Sequence, residues 1–266
     1  MRHIAFAATL ALCLPAAALA QSCGNDASGF EAWKQQFAQV AAANGVGQRG
    51  LEALASAQYS NETIRLDRAV QREQRPFEEI WRVRGGDQLA AQGREEYQSN
   101  RAFFDGLEAR YGVPGYYLAA IHGWETNFGG DLRFVEIPIV SAITTVAYDC
   151  RRPELFLPHA LAALQLVDQG RLDGDDLGAG HGEMGHTQFL PGNALRYGID
   201  GNGDGAIDMN DWPDAIASTA NFLAANGWQP GQGYEQGQPN FDVMYNWNRG
   251  TNYRLGVARL ANAIRG

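Results

Sequence analysis

Positive charge is in short supply in this sequence: 21 Lys and Arg stand against 30 Asp and Glu, a formal net charge of −9 at neutral pH. Sequence-independent binding to nucleic acid relies on Lys and Arg neutralising phosphates, so no nucleic-acid partner is expected. Beyond the first twenty residues no apolar run is long enough to suggest a transmembrane helix. The histidines lack HExxH spacing, and the glycine-rich GAGHGEMG at 178–185 follows an acidic DGDD run instead of a strand. A zinc-protease site and a phosphate-binding loop are therefore not expected. His181-Gly182-Glu183 matches the start of a zinc-deaminase signature, but no later pair of cysteines completes it. No catalytic cofactor is expected.

Cysteine is also scarce, at three residues. The first, Cys13, lies in MRHIAFAATLALCLPAAALA, where Arg2 and His3 precede an apolar run and Ala18-Leu19-Ala20 precedes Gln21. This reads as a secretory signal, residues 1–20, cleaved to give a soluble periplasmic protein. A membrane anchor is the alternative, but Pro15 interrupts a run that is already short. Cys23 and Cys150 remain after cleavage. In an exported chain they either pair, stapling the mature N-terminus to the middle of the fold, or stay as two buried thiols.

What is present reads as mainly α. Ser28 and Glu31 have capping-box spacing, and Phe30, Trp33, Phe37, Val40 and Ala41 follow at helical intervals until Asn44-Gly45. Further helices are expected around Leu51 and Leu54, within residues 61–84, and as one longer helix over 95–111. Pro114 suits the first turn of a helix leading to Glu125. Residues 131–150 show no clear period. Pro153 opens a leucine-rich helix that Pro158 must break, kink or restart. The last two helices fall at 214–226 and 251–264, and the Gln/Gly/Pro-rich 229–240 reads as a surface loop.

Two stretches carry chemistry. In HGWETNFGG (122–130), Glu125 shares a helix face with Leu118 and Ile121. If that face turns inward, burial raises the carboxyl pKa, which suits an acid that protonates a glycosidic oxygen. Trp124 and Phe128 would then be its apolar walls, and Tyr116 or Tyr117 a stacking surface for a sugar. His122 lies three residues earlier, and packing is its expected role. A structural glutamate reaching solvent fits the same spacing. In DGNGDGAIDMND (200–211), Asp200, Asn202 and Asp204 alternate before Gly205, as in the first half of an EF-hand loop. The Ala206 carbonyl would be the next calcium ligand. Asp211 stands where a glutamate is usual, so either it closes a weak site or Asp214 closes a longer loop. An Asx-rich turn capping the next helix is the alternative.

The segments DRAVQREQ (67–74), YGVPGYYLAAIHGWETNFG (111–129), RRPELF (151–156), GEMGHTQFLPGNALRYGIDGNGDGAIDMNDWPDAIASTANFLAANGW (182–228) and WNRGTNY (247–253) occur in that order. Together they resemble the membrane-bound lytic transglycosylase B family, soluble members included. The resemblance implies a lysozyme-like catalytic core with an additional N-terminal helical region and little β structure. Residues 21–110 would be the helical region and 111–266 the core, with its EF-hand-like loop at 200–214.

It also implies a monomeric enzyme that cleaves peptidoglycan glycan strands between N-acetylmuramic acid and N-acetylglucosamine. Glu125 would act as acid and then as base toward the C6 hydroxyl of the same muramoyl residue, leaving a 1,6-anhydro ring. That accounts for the missing second carboxylate, which glycosidases ordinarily need. Gln188 and Phe189 would line the glycan groove with Asn248 and Tyr253. Arg151 and Arg152 would meet substrate carboxylates or, alternatively, structural acids. In the Asp loop the resemblance favours Asp214 as the closing ligand of a structural calcium.

The chain departs from the family pattern at Glu183, where alanine is commoner, at Ala179, where a hydroxyl is common, and at Pro191-Gly192-Asn193 in place of Pro-Ser-Ser. A water-using muramidase and a non-catalytic peptidoglycan-binding protein are the competing functions.

Overall fold

Helices account for most of the structure, a computed structural model that describes residues 22–70, 75–132 and 136–266. The expected secretory signal lies outside the described residues, as does the 71–74 end of DRAVQREQ. Among the described residues no helix is long and apolar enough to cross a membrane.

The first helix, α1 (Phe30–Ala43), buries Phe30, Trp33, Phe37, Val40 and Ala41 along one stripe. Its entry differs from the expected capping box. Ser28 lies in a short 3-10 turn capped by Asp26, whose Oδ1 accepts from Ser28 N at 2.9 Å. Glu31 instead pairs with Lys34 at 3.0 Å. The helices α2 (Gln48–Ser56), α3 (Asn61–Val70), α4 (Phe77–Val83), α5 (Gly86–Ser99) and α6 (Arg101–Tyr111) follow. The single helix expected over 95–111 is in fact the end of α5 and the whole of α6. Asn100 interrupts it with φ −112° and turns its own Nδ2 back to the Glu96 carbonyl at 3.0 Å, the local competition with helix that Asn favours.

The helix α7 (Gly115–Thr126) runs through the interior, with every residue from Tyr117 to Trp124 buried. It packs against α5, α6, α11 (Trp212–Ala225) and α13 (Thr251–Arg265). Gly256 on α13 lies flat against the Trp124 indole, and a Cβ there would occupy the ring's space, so glycine sets how closely α13 approaches α7.

The stretch without a period resolves into β1 (Ile137–Pro138) and α8 (Ile139–Tyr148). All ten residues of α8 are buried, so it has no polar face to alternate with an apolar one. Beside it, α9 (Pro153–Asp168) continues unbroken through Pro158. That proline is exposed in the second turn, where the Glu154 carbonyl it leaves unpaired can be hydrated. The two-residue β2 (Leu177–Gly178) pairs antiparallel with β1, Ile137 opposite Gly178. Short helices α10 (Pro191–Tyr197) and α12 (Pro239–Val243) complete the set.

One continuous core runs from Phe30 to Ile264, so the helices before residue 110 share their interior with those after it. Cys23 and Cys150 form a disulfide with Cα atoms 4.9 Å apart. Gly24 pairs with Asp149 beside it.

Candidate active site

The helix α7 stops abruptly one residue after Glu125. Asn127 and Phe128 both take left-handed conformations, φ 51° and 55°, followed by Gly129 at 83°. Two consecutive non-glycine residues in that region are uncommon, and such strain concentrates at functional sites. Thr126 anchors the end by donating to the His186 carbonyl at 2.7 Å, which ties α7 to the loop 182–190. Within that loop Met184 and Phe189 exchange backbone hydrogen bonds at 2.9 and 3.0 Å. The closed turn leaves Gln188 at φ 56°, its Nε2 donating to the Gly185 carbonyl at 2.9 Å.

Glu125 is half-buried where two clefts meet. One, of about 370 Å³, continues past Asp131, Leu132, Leu177 and Asn210. The other, of about 210 Å³, continues past Leu190, Asn193, Trp247 and Asn248. Glu125, Glu183 and Gln188 line both. A larger groove of about 720 Å³ lies on the β1 side of the ribbon, between Arg49, Tyr59, Ser141 and Asp175, and excludes Glu125.

Glu125 Oε1 accepts hydrogen bonds from the Tyr253 hydroxyl at 2.7 Å and from Trp247 Nε1 at 3.0 Å. No donor among the described residues reaches Oε2, which is left for a ligand. Burial pushes the carboxyl up to about 6, against the Tyr253 and Trp247 hydrogen bonds and the Arg84 charge, while the Glu183 charge pushes with burial. Such an acid is partly protonated near neutrality and can exchange a proton in either direction.

Trp247 is held edge-on by Phe189 and Phe222, with ring centroids 5.1 and 5.0 Å away. Phe189 lines the smaller cleft while being 1% exposed, so it braces the tryptophan from the cleft floor. Asn248 borders the smaller cleft, its Oδ1 accepting from Gly250 N at 2.8 Å. Glu125, Gln188, Phe189, Asn248 and Tyr253 are thus brought together.

Arg151 and Arg152 are not part of this gathering. Both reach Asp67 on α3, which is buried, and neither borders either cleft. Arg68 bridges the same Asp67 to Asp149 at 2.6 Å each. Burial would raise the Asp67 carboxyl, but its contact with His181 and then the charges of Arg152 and Arg151 hold it down at about 2. The structural-acid alternative therefore describes where these arginines sit. His181 joins the cluster with Nε2 3.2 Å from Asp67 Oδ1. Its Nδ1 lies 2.9 Å from Glu183 Oε1. Burial disfavours the charged imidazole, but the two carboxylates prevail and raise it to about 9.

His122 points away from Glu125. Its Nδ1 meets Glu96 at 2.8 Å and its Nε2 meets His186 at 2.9 Å, inside the packing between α5 and α7. Sequence reasoning passed over Trp247, although WNRGTNY contained it, and gave Asp67 no role.

In the Asp loop, Asp200 accepts from Gly203 N at 2.6 Å and Gly205 N at 2.8 Å. Asp214 accepts from Gly201 N at 2.7 Å and Asp208 N at 2.8 Å. Asn202 Nδ2 donates to Asp204 at 3.1 Å and to Asp211 at 2.9 Å. Partial burial and then the charges of Asp214 and Asp204 push the Asp211 carboxyl upward. Among the described residues no group of three or more His, Cys, Asp or Glu side chains is gathered as a metal cluster.

A family model described as the transglycosylase SLT domain matches residues 29–238. Membrane-bound lytic murein transglycosylase B of Escherichia coli is 34% identical over 146 residues, covering 51% of this chain and 40% of that protein. The match therefore spans less than half the length of that relative. Among solved structures, SltB3 of Pseudomonas aeruginosa, in complex with NAG-NAM-pentapeptide, superposes with a TM-score of 0.78 at 26% identity, covering 90% of this chain and 80% of that one. The same enzyme in complex with NAG-anhNAM-pentapeptide gives a TM-score of 0.76 with the same identity and coverage. The Escherichia coli lytic transglycosylase Slt35, in complex with calcium, gives 0.73 at 21% identity over 95% of this chain and 98% of that one, a likeness of fold.

Proposed function

Because the chain belongs to the transglycosylase SLT domain family, we propose that it is a lytic murein transglycosylase and that Glu125 is its single acid and base. The observation that carries this reading is the raised carboxyl of Glu125 at the meeting point of two clefts, with one oxygen that no donor among the described residues reaches. A glycan strand laid through both clefts brings a glycosidic bond to that oxygen. The peptidoglycan fragments bound to SltB3 support strands of alternating N-acetylglucosamine and N-acetylmuramic acid as the substrate.

In the first step Glu125 gives its proton to the oxygen joining muramic acid C1 to the next sugar, and the C1–O bond breaks. The substrate's acetamido oxygen supports the positive charge left at C1. In the second step the Glu125 carboxylate takes the C6 hydroxyl proton while O6 bonds to C1, closing the 1,6-anhydro ring. Tyr253 and Trp247 hold Oε1 still through both steps, and Gln188 and Asn248 border the strand on either side. Mass spectrometry of digested sacculi tests this: anhydromuropeptides from the native enzyme and none from Glu125→Gln are expected. Reducing-end products would instead identify a water-using muramidase, and binding without turnover a non-catalytic wall-binding protein.

The loop 200–214 is read as a structural calcium site. Its donors are all oxygen, which suits a hard cation, and Asp200, Asn202, Asp204, the Ala206 carbonyl and Asp214 would hold the ion. The crowding of carboxylates at Asp211 supports a cation there. The ion would brace the loop between Gln188 and α11 and take no part in bond breaking. The apolar leader at residues 1–20 supports export to the periplasm.

A further inference from the structure

Glu183 is, with Glu125, one of two carboxylates that border both clefts, and the proposed chemistry has not used it. It borders both clefts with Glu125 and Gln188. Both of its oxygens are committed: Oε2 accepts from His181 N at 2.8 Å and Oε1 faces His181 Nδ1 at 2.9 Å. The far side of the imidazole faces Asp67 at 3.2 Å, and the Phe156 ring lies parallel to it at 7°. With a carboxylate near each ring nitrogen, His181 is an imidazolium that donates to Glu183 and lies within ion-pair range of Asp67. Asp67 is in turn fixed by Arg68, Arg151 and Arg152. The cluster is thus a braced mount that ends, on its cleft side, in one carboxylate.

We propose that Glu183 is a second catalytic carboxylate, a fixed anion that faces the sugar whose glycosidic oxygen Glu125 protonates and stabilises the positive charge formed at its anomeric carbon. The inference rests on the transglycosylase reading of the same site. When the proton passes from Glu125 to the glycosidic oxygen, the electron pair of the C1–O bond leaves with that oxygen. One unit of positive charge then remains on C1, the ring oxygen and the participating acetamide. Glu183 forms no bond and moves no proton; its charge opposes the one created, and that charge vanishes when O6 closes onto C1.

A preorganised charge aimed at where charge develops is among the most effective catalytic devices, because it needs no rearrangement during reaction. Its hydrogen bonds to His181 hold Glu183 below the usual carboxylate range, so it is an anion throughout the working pH. The same commitment makes it a poor base for water.

The groups facing Glu125 are Tyr253, Trp247, Arg84 and Glu183; those facing Glu183 and its mount are His181, Asp67 and the three arginines. Glu183→Gln keeps the shape and one of the two acceptors for His181 while removing the charge. The variant should stay folded at the assay temperature while melting below the native protein, since the pair with His181 is broken. It should keep KM within about twofold and lose at least about tenfold in kcat on sacculi. Its alkaline activity limb should move to lower pH, and carbon-13 carboxyl titration of Glu125 in the full chain should show the matching fall in pKa. Glu183→Asp, which restores the charge, should recover most of both.

A native-like kcat and pH profile in Glu183→Gln would overturn the proposal alone. So would reducing-end products of the native enzyme that vanish in this variant, since Glu183 would then be serving water. A native enzyme that releases nothing from sacculi would overturn the transglycosylase reading and this step with it. The Glu125 titration reads the coupling of the two carboxyls without any substrate, and an unshifted Glu125 would overturn it directly.

Discussion

The Tyr253 hydroxyl lies 2.7 Å from Glu125 Oε1, joining residues 128 apart in sequence. The contact exists because Gly256, one turn further along α13, lets that helix lie against Trp124 beside the glutamate. Removing the hydroxyl leaves Trp247 as the only hydrogen-bond donor to the carboxylate among the described residues. Since the Tyr253 bond holds the Glu125 pKa down, Tyr253→Phe should raise it above about 6. The alkaline limb of the pH–rate profile should move upward, opposite in sign to Glu183→Gln, with turnover about tenfold lower as the acid loses its orientation.

Glu125→Gln should abolish turnover by at least about a hundredfold, the scale of a lost general acid, in assays of anhydromuropeptide release. It should also stabilise the fold near pH 7. The folded pKa of about 6 lies above the ordinary 4.5, so the folded state binds the proton more tightly than the unfolded chain does. Below pH 4.5 both states are protonated and the two proteins should be equally stable. As pH rises through 6 the native protein bears the cost of a buried carboxylate, of order 2 kcal/mol. Urea denaturation at pH 4 and pH 7.5 should show the difference appear.

Asp67→Asn should cost about 3 kcal/mol, because it strands Arg151, Arg152 and His181 beside a neutral group. The pH window follows from the two shifts. The depressed Asp67 contributes stability that is present above 3.8 and lost as pH falls through about 2. The raised His181 contributes below 6.5 and is lost as pH climbs through about 9. The difference between native protein and variant should therefore be greatest between about pH 4 and 6.5, measured by denaturation across that range.

Calcium at a hundredfold excess over its dissociation constant should add about 2.7 kcal/mol to stability, several degrees in melting temperature. Asp204→Asn, an exposed substitution, should abolish most of that gain while leaving the calcium-free melting temperature within a degree or two. Identical melting curves with calcium and with chelator would remove the site from consideration.

Local sequence carried much of this architecture. The stripe on α1, the proline that opens α7 and the glutamate near its end depend on neighbours within a turn or two, and periodicity reports those directly. Helix α8 was opaque for the opposite reason: a segment buried on every side has no alternation to read. The break at Asn100 depends on one side chain bonding its own backbone, which an apolar count does not register.

The partners of Arg151 and Arg152 lay beyond any local pattern, because Asp67 is 84 residues from the first of them. Glu183 was visible as a departure from the family pattern, yet its mount required His181, Phe156 and Asp67 to be seen together. Trp247 was hidden likewise, since an indole in a loop declares no partner until the loop is placed.

The bond between Cys23 and Cys150 closes a span of 127 residues. In the chain-entropy account a loop of that size removes enough unfolded freedom to contribute about 5 kcal/mol. It fastens Cys150 next to Asp149, the partner of Arg68, which in turn holds Asp67 and, through it, the imidazolium behind Glu183. A covalent event at the edge of the fold is thus wired to the charge that faces the cleft. Without that bond the mount behind Glu183 would keep its ion pairs but lose the covalent tie that fixes Asp149 beside them.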